Sequence, residues 1–236
     1  MPILSDYHMH SHHSGDCDAS MKSMASAAVR AGLQNICFTE HLDFDFPGYP
    51  DLPRDCFLLN DDRYEQELRL LQKQYAETPG QDLSICFGIE CGLQLCCQEK
   101  NRAFLHRKPY DFVLGSLHLC DGDDPYYDSF YQTHPDEDAA LLLYFEETLK
   151  NIEAFHDFDV LAHLDYMVRY CSRLHQRTDF RRYEDILTAI LGELVRTGRG
   201  LEVNTGGLRR GMQETNPGPD AVRRYRELGG RIITIG

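Results

Sequence analysis

The sequence has no apolar run of membrane-spanning length, no Cys-x-x-Cys pair, and no lysine/arginine block beyond short pairs such as Arg209-Arg210 and Arg223-Arg224. The first absence argues against a helical membrane span, which takes about 20 consecutive apolar residues, so no membrane partner is expected. The second weakens a zinc-ribbon reading: the nine cysteines are odd in number and scattered, and the close group Cys91, Cys96 and Cys97 lacks the usual ligand spacing. Cys37 and Cys86 sit inside apolar runs as small hydrophobes, which suits a reducing compartment better than a disulfide framework. The third absence, with a formal net charge of −14, disfavours nucleic acid, since a phosphate backbone is repelled where positive charge is not concentrated. The N-terminal residues also lack the basic region and apolar core of an export signal, so a cytoplasmic location is expected.

What is present is an ordinary soluble composition, 42% hydrophobic and 26% charged over 236 residues. That length can bury most of its apolar surface as one large α/β domain or two small ones. Helices are predicted over 20–31 (closed by Gly32), 61–77, 98–105, 135–155, 180–197 and 219–228. In the fourth, Leu142, Phe145, Leu149 and Ile152 form the expected apolar stripe. Strands are predicted around His8, then over 35–39, 83–89, 112–116, 159–162, 200–203 and 231–235. The loops over 42–60 and 119–134 are long enough to shape a pocket.

Unbroken alternation of strand and helix argues for one parallel α/β architecture, either a closed barrel or an open doubly wound sheet. The polar residues favour the barrel. His8 and His10 leave the end of the first strand two apart, so that alternation would point both imidazoles the same way, and Asp16 follows. His41, Glu90, His118 and His163 then stand just after the ends of four later strands. A closed barrel brings such ends to one mouth, whereas an open sheet spreads them along a line.

Imidazole nitrogens with carboxylates form a donor set for zinc, manganese or iron. A lone His-x-His is weak, and with His12 and His13 beside it the loop also reads as a solvent-exposed polar patch. His106, His134, His156 and His175 read as hydrogen-bonded loop or helix residues. The recurrence of His8, His10, Asp16, His41, Glu90, His118 and His163 strand after strand is what points to metal. Seven ligands exceed what one zinc ion uses, so at least two divalent ions are expected, with Glu90 as the natural bridge. Hydrolysis is the expected reaction class, because paired metals polarise a phosphoryl or carbonyl oxygen and acidify a shared water.

The sequence resembles the polymerase-and-histidinol-phosphatase (PHP) superfamily, within it the monofunctional histidinol-phosphatase branch. The resembling segments are Asp6-x-His8-x-His10 with Asp16, Phe38-Thr39-Glu40-His41, Gly88-Ile89-Glu90, Gly115-Ser116-Leu117-His118, Ala162-His163-Leu164-Asp165 and Glu202-x-Asn204-x-x-Gly207-Leu208-Arg209. They run in the family's order over nearly the whole chain. The resemblance implies a distorted (βα)7 TIM-like barrel with a trinuclear site of zinc, manganese or iron. It would put His8, His10 and Glu90 on one ion, Asp16 and His41 on a second, and Glu90, His118 and His163 on a third. The family pattern closes with an Asp-x-His after the seventh strand. This sequence ends at Gly236, so the expectation is a barrel lacking its C-terminal end, with the third site complete.

The resemblance implies hydrolysis of a small-molecule phosphate monoester, L-histidinol phosphate, in histidine biosynthesis. The expected mechanism is in-line attack by a metal-bridging hydroxide, with Glu90, Asp16 and Arg169 as the catalytic residues and no covalent phosphoenzyme. A phosphate dianion suits the planar fork of arginine, and Arg169, Arg209 and Arg210 follow strands at the expected mouth; each could equally form a surface ion pair. Glu40 and Asp43 are candidates to contact the amine or imidazole of L-histidinol, or alternatively to support His41. A nuclease or phosphodiesterase of the same superfamily, and a non-catalytic metal-binding barrel, remain as other classes.

Overall fold

The computed structural model describes residues 3–80, 82–172 and 178–236; His175 lies outside them. Among the described residues, seven strands form one all-parallel sheet: β1 (Ser5–Met9), β2 (Asn35–Leu42), β3 (Ser84–Gly92), β4 (Phe112–Ser116), β5 (Val160–Leu161), β6 (Gly200–Val203) and β7 (Ile233–Ile235). Each strand pairs with its sequence neighbour, in the order β1 to β7. An open doubly wound sheet would reverse this order at a switch point, so the sequential order identifies the barrel. Closure is by packing: β7 comes round beside β1, and Gly236 lies so close to His8 and Glu202 that an added Cβ would overlap both. No hydrogen-bonded ladder joins β1 and β7 among the described residues.

The helices are α1 (Met21–Ala31), α2 (Asp61–Glu77), α3 (Gln98–Leu105), α4 (Asp128–Thr133), α5 (Glu137–Ala154), α6 (Glu184–Thr197), α7 (Gly206–Arg209) and α8 (Pro219–Glu227). Their ends follow the local chemistry. Ser20 caps α1 by accepting from the Ser23 N–H, and Gly32 ends it at φ 81, a conformation that costs a residue without Cβ nothing. Asn60 caps α2, whose first turn adds Asp61 and Asp62 at the positive end of the helix dipole. Two helical expectations need correction. Leu142 of α5 is exposed, and the buried face instead runs through Leu141, Tyr144, Phe145, Thr148 and Ile152, because the helix offers a wider apolar arc than it buries. Residues 180–183 form a 3-10 turn ahead of α6 rather than its first turn. None of the helices is long and apolar enough to cross a membrane, among the described residues.

Alternation along the strands sorts side chains into two layers. Ile36, Phe38 and Leu42 of β2, and Ile85, Phe87, Ile89 and Cys91 of β3, join the main core between barrel and helices. Their neighbours Cys37, Phe112, Leu114, Val160 and Ala162 form a small apolar plug inside the barrel, with Tyr7 and Cys86 packed against it. That plug is the floor on which the polar residues of the mouth stand. All nine cysteines are free thiols.

Candidate metal centre

Above the plug, the inward positions of successive strands turn polar. β1 departs from regular alternation to achieve this. Asp6 pairs with Ile36 and Met9 with Phe38, so β1 carries one extra residue against β2. The bulge lets Tyr7 pack on the inner plug while His8 also faces inward, and the Asp6 carboxylate holds it by accepting the His8 N–H at 3.0 Å. On β2 and β3, His41 stands in register with Glu90. His118 and His163 follow β4 and β5. His163 sits at φ 21, rarely taken by a residue with Cβ, and its N–H donates to Glu202 at 2.7 Å.

Glu90 is fully buried and is the centre of the arrangement. Its Oε1 lies 2.9 Å from His163 Nε2 and 3.1 Å from His118 Nε2, and accepts from Ser116 Oγ at 2.6 Å. Its Oε2 lies 3.2 Å from His8 Nε2, 3.3 Å from His10 Nε2 and 3.1 Å from His41 Nδ1. Five imidazoles thus surround one carboxylate, two on one oxygen and three on the other. Asp16 Oδ2 lies 3.6 Å from the far nitrogen of His41 and lines the open side.

Three residues orient these rings. Glu202 accepts from His8 Nδ1 at 2.7 Å, which aims the other ring nitrogen at Glu90. Asp43 does the same for His118, with 2.9 Å to Nδ1. Gly92 makes room for it, since any side chain there would occupy the position of the Asp43 carboxylate. Ser14 Oγ accepts the His41 N–H at 3.0 Å and lies 3.3 Å from His10 Nδ1.

The charges are arranged around a need for cations. Burial works against an ionised Glu90, yet its imidazole neighbours His8, His41 and His118 hold it well below the usual carboxylate range. Burial likewise disfavours a proton on His8, but Glu90 and Glu202 outweigh it and push that imidazole up to about 10. His118 is raised, against burial, by Asp43 and Glu90. His10 and His163 go the other way: burial lowers both, His163 to about 4, leaving neutral rings with a lone pair to give.

A divalent ion fits this cluster. Glu90 Oε2, buried and ringed by three imidazole nitrogens, has no hydrogen-bond partner, and neither do His41 Nδ1, His163 Nδ1 and Asp43 Oδ2. Orphaned buried polar atoms are costly unless something else satisfies them. The triads His8–Glu90–His163, His10–His41–Glu90 and His41–Asp43–His118 each bring three ligand atoms within 4.8 Å of one another. Mixed imidazole and carboxylate donors suit zinc, manganese and iron.

The centre opens into a cavity of about 430 Å³. Arg169 lines it, its Nε donating to Asn216 Oδ1 at 2.9 Å and its Nη2 to Asn204 Oδ1 at 2.6 Å. Arg209 and Arg210 line the same side, the Arg210 guanidinium lying 5.3 Å from the Tyr170 ring centre. Asp43 also lines the cavity, but Glu40 does not. Glu40 is fully buried on the opposite face of β2 from His41, and accepts from Ser11 N, Ser11 Oγ and Ser14 Oγ at 3.0, 2.5 and 2.6 Å. The expectation of a substrate contact at Glu40 is therefore corrected: strand alternation turns it away, and its two oxygens are engaged.

The far wall comes from the two long loops expected to shape a pocket, though none of its residues except Asp43 was singled out in the sequence. The loops over 42–60 and 119–134 meet across the opening, with Tyr49 stacked on Tyr127 at 3.5 Å and Tyr127 donating to Asp51 at 3.0 Å. Phe46, Phe57, Tyr126, Tyr166 and Tyr170 complete an aromatic rim around Asp124. Asp124 accepts from Tyr126 N and Tyr166 Oη, and burial raises its carboxyl to about 6. The Tyr126-Tyr127 pair is a local signal that could have pointed there. Glu202 and Asn204 were visible as a motif, but without roles.

The PHP domain model matches residues 6–206. Histidinol-phosphatase of Lactococcus lactis subsp. lactis (strain IL1403) is 33% identical over 233 residues, which span 98% of this chain and 82% of that protein. A probable histidinol-phosphatase of Clostridium acetobutylicum is 28% identical over 99% of this chain and 85% of its own length. Among solved structures, histidinol phosphate phosphatase from Lactococcus lactis, complexed with zinc, L-histidinol and phosphate, superposes with a TM-score of 0.86. It is 30% identical, covering 99% of this chain and 84% of its own.

Proposed function

This chain belongs to the PHP domain family, and from that premise we propose that it is a metal-dependent phosphatase hydrolysing L-histidinol phosphate to L-histidinol and phosphate. The observation that carries the reading is Glu90 Oε2, buried and without a hydrogen bond among three imidazole nitrogens. In the proposed arrangement His8, His10 and Glu90 would hold one ion, Asp16 and His41 a second, and Glu90, His118 and His163 a third. Zinc, manganese or iron bound there would supply Lewis-acid polarisation of the phosphoryl group and a more acidic attacking water.

The chain's own residues do the rest. Ser116 pins Glu90 Oε1, leaving Oε2 turned towards His8, His10 and His41. Glu202 and Asp43 fix the ring orientations of His8 and His118. Arg169, steadied by Asn204 and Asn216, presents a fixed guanidinium to the phosphate and stabilises charge that grows on its equatorial oxygens. Arg209 and Arg210 add positive charge on that side. The tyrosine rim suits the imidazole of L-histidinol, and Asp124 and Asp43 offer carboxylates to its amine.

The test is turnover of L-histidinol phosphate against a phosphodiester such as bis(p-nitrophenyl) phosphate, with zinc, manganese or iron supplied and with chelator added. The monoester should be hydrolysed with much the higher kcat/KM, and chelator should abolish the reaction. Faster cleavage of the diester would favour the nuclease reading, and no turnover by a fully metal-loaded chain the non-catalytic one.

A further inference from the structure

His12 and His13 stay outside the centre just described. Neighbouring residues of a regular strand point to opposite faces, but here β1 has ended. The His12 N–H donates to Ala19 O at 2.8 Å and Ser14 N–H to Ser11 O at 2.9 Å, closing a tight turn. That turn swings both rings onto α2, where their centres lie 4.4 Å apart. His12 Nε2 stands 3.3 Å and His13 Nε2 3.0 Å from the same atom, Glu67 Oε2. Tyr64, one turn earlier on α2, backs the His13 ring at 5.6 Å. The three ligand atoms lie within 4.8 Å of one another.

We propose that His12, His13 and Glu67 form a second, peripheral site for a zinc-class divalent cation, separate from the centre around Glu90 and completed by water. Three features carry it. The donor set, two imidazoles and one carboxylate with an open fourth position, is one that zinc takes in open sites. The spacing is right, since zinc bonds of about 2.0–2.2 Å in a tetrahedron set neighbouring ligand atoms roughly 3.3–3.6 Å apart, within a few tenths of an ångström of the two imidazole-to-carboxylate distances here. The charge also calls for a cation: among the described residues Glu67 has no lysine or arginine partner, and its ion-pair contacts are the two imidazoles alone. The site is reachable, with the His12 and Glu67 side chains 37% and 39% exposed.

The inference is independent of the phosphatase reading, and its test does not involve turnover. The full chain, stripped of metal, is titrated with zinc against a chromophoric chelator, beside the double variant His12→Ala/His13→Ala and the milder Glu67→Gln. The native chain should bind one equivalent more than the double variant. Glu67→Gln should hold that equivalent about tenfold or more weakly, a ligand being worth no less than an orienting partner. Thermal melting and the zinc retained by the Glu90 centre show that the variants are folded. Crystals of the native chain in zinc should give an anomalous peak between the three side chains. Equal stoichiometry in all three chains overturns the proposal, and so does a map with density at Glu90 and none at Glu67.

Discussion

Replacing Glu202 by glutamine changes one atom's chemistry and little of its shape, yet it should disable the centre. The carboxylate is fully buried, and both oxygens accept hydrogen bonds: Oε1 from His8 Nδ1 at 2.7 Å and Oε2 from the His163 N–H at 2.7 Å. A glutamine has one acceptor oxygen for these two donors. If its NH2 faces His8, the ring must move its proton to Nε2, and the lone pair aimed past Glu90 is lost. If the NH2 faces His163 instead, two donors confront each other without water, costing about 1–3 kcal/mol. Loss of an orienting partner of a ligand histidine weakens metal affinity or activity about 10–100-fold, or roughly 1.4–2.7 kcal/mol. Both routes therefore converge on the same magnitude. The assays are zinc competition against a chromophoric chelator and kcat/KM on L-histidinol phosphate, each expected to fall by that factor, with a lower Tm. If Glu202→Gln bound zinc and turned over as well as the native chain, His8 would owe its orientation to something else, and the reasoning would fail.

Arg169→Lys should lower kcat/KM about 10–100-fold while leaving zinc content unchanged, because an ammonium cannot hold both Asn204 and Asn216 and still offer a planar fork to phosphate. Native kcat/KM would remove Arg169 from the phosphate site. Burial raises the Asp124 carboxyl from 3.8 to about 6, so the folded chain keeps a proton there that the unfolded chain releases; the stabilisation is full below pH ~4 and lost as pH rises through about 6. Asp124→Asn, able to keep both hydrogen bonds on its carbonyl oxygen, should stabilise the chelator-treated chain at pH 7 by about 1–3 kcal/mol and flatten Tm between pH 4 and 6; an unchanged pH profile would refute this. Glu40→Ala strands three buried donors and should cost about 2–4 kcal/mol with KM little changed, whereas a raised KM at native stability would restore Glu40 as a substrate contact. Zinc loading at pH 7 should release protons into weak buffer, because His8, held up to about 10, must lose its proton to become a ligand. Apparent zinc affinity should then climb with pH, and loading without proton release would contradict the charge assignment.

How much of this was legible beforehand depended on whether a feature is local. Strand periodicity, the helix stop at Gly32 and polar residues at strand ends are properties of a few consecutive residues, and the barrel followed from them. The bulge at His8 was not legible, because an extra residue is defined only against the register of β2. Glu40 shows the same limit from the other side. It is adjacent to His41 in sequence, and only the strand's alternation places the two on opposite faces of the sheet. The aromatic rim was missed because its pairs, such as Tyr49 with Tyr127 and Tyr126 with Tyr170, are distant in sequence and meet only in the folded chain. Glu202 could not be tied to His8 for that reason: 194 positions separate them.

The choice of imidazole as the neighbour of Glu90 has its own logic. A buried carboxylate needs positive charge nearby, and a lysine or arginine would provide it permanently, blocking any other cation. Imidazole alone among the side chains gives that charge up near neutral pH at modest cost. In the metal-free chain, protons on His8 and His118 balance Glu90 and Glu202, so these two acids stay ionised and the rings stay in place. A divalent ion held by these residues would take over from the protons the charge that offsets the carboxylates. The permanent cation Arg169 is kept apart, tied to two neutral asparagines rather than to an acid, and its charge remains free for an anion. In the proposed reading that separation reconciles an acidic chain with a phosphate substrate: exchangeable cations face the carboxylates, and the fixed cations Arg169, Arg209 and Arg210 line the cavity.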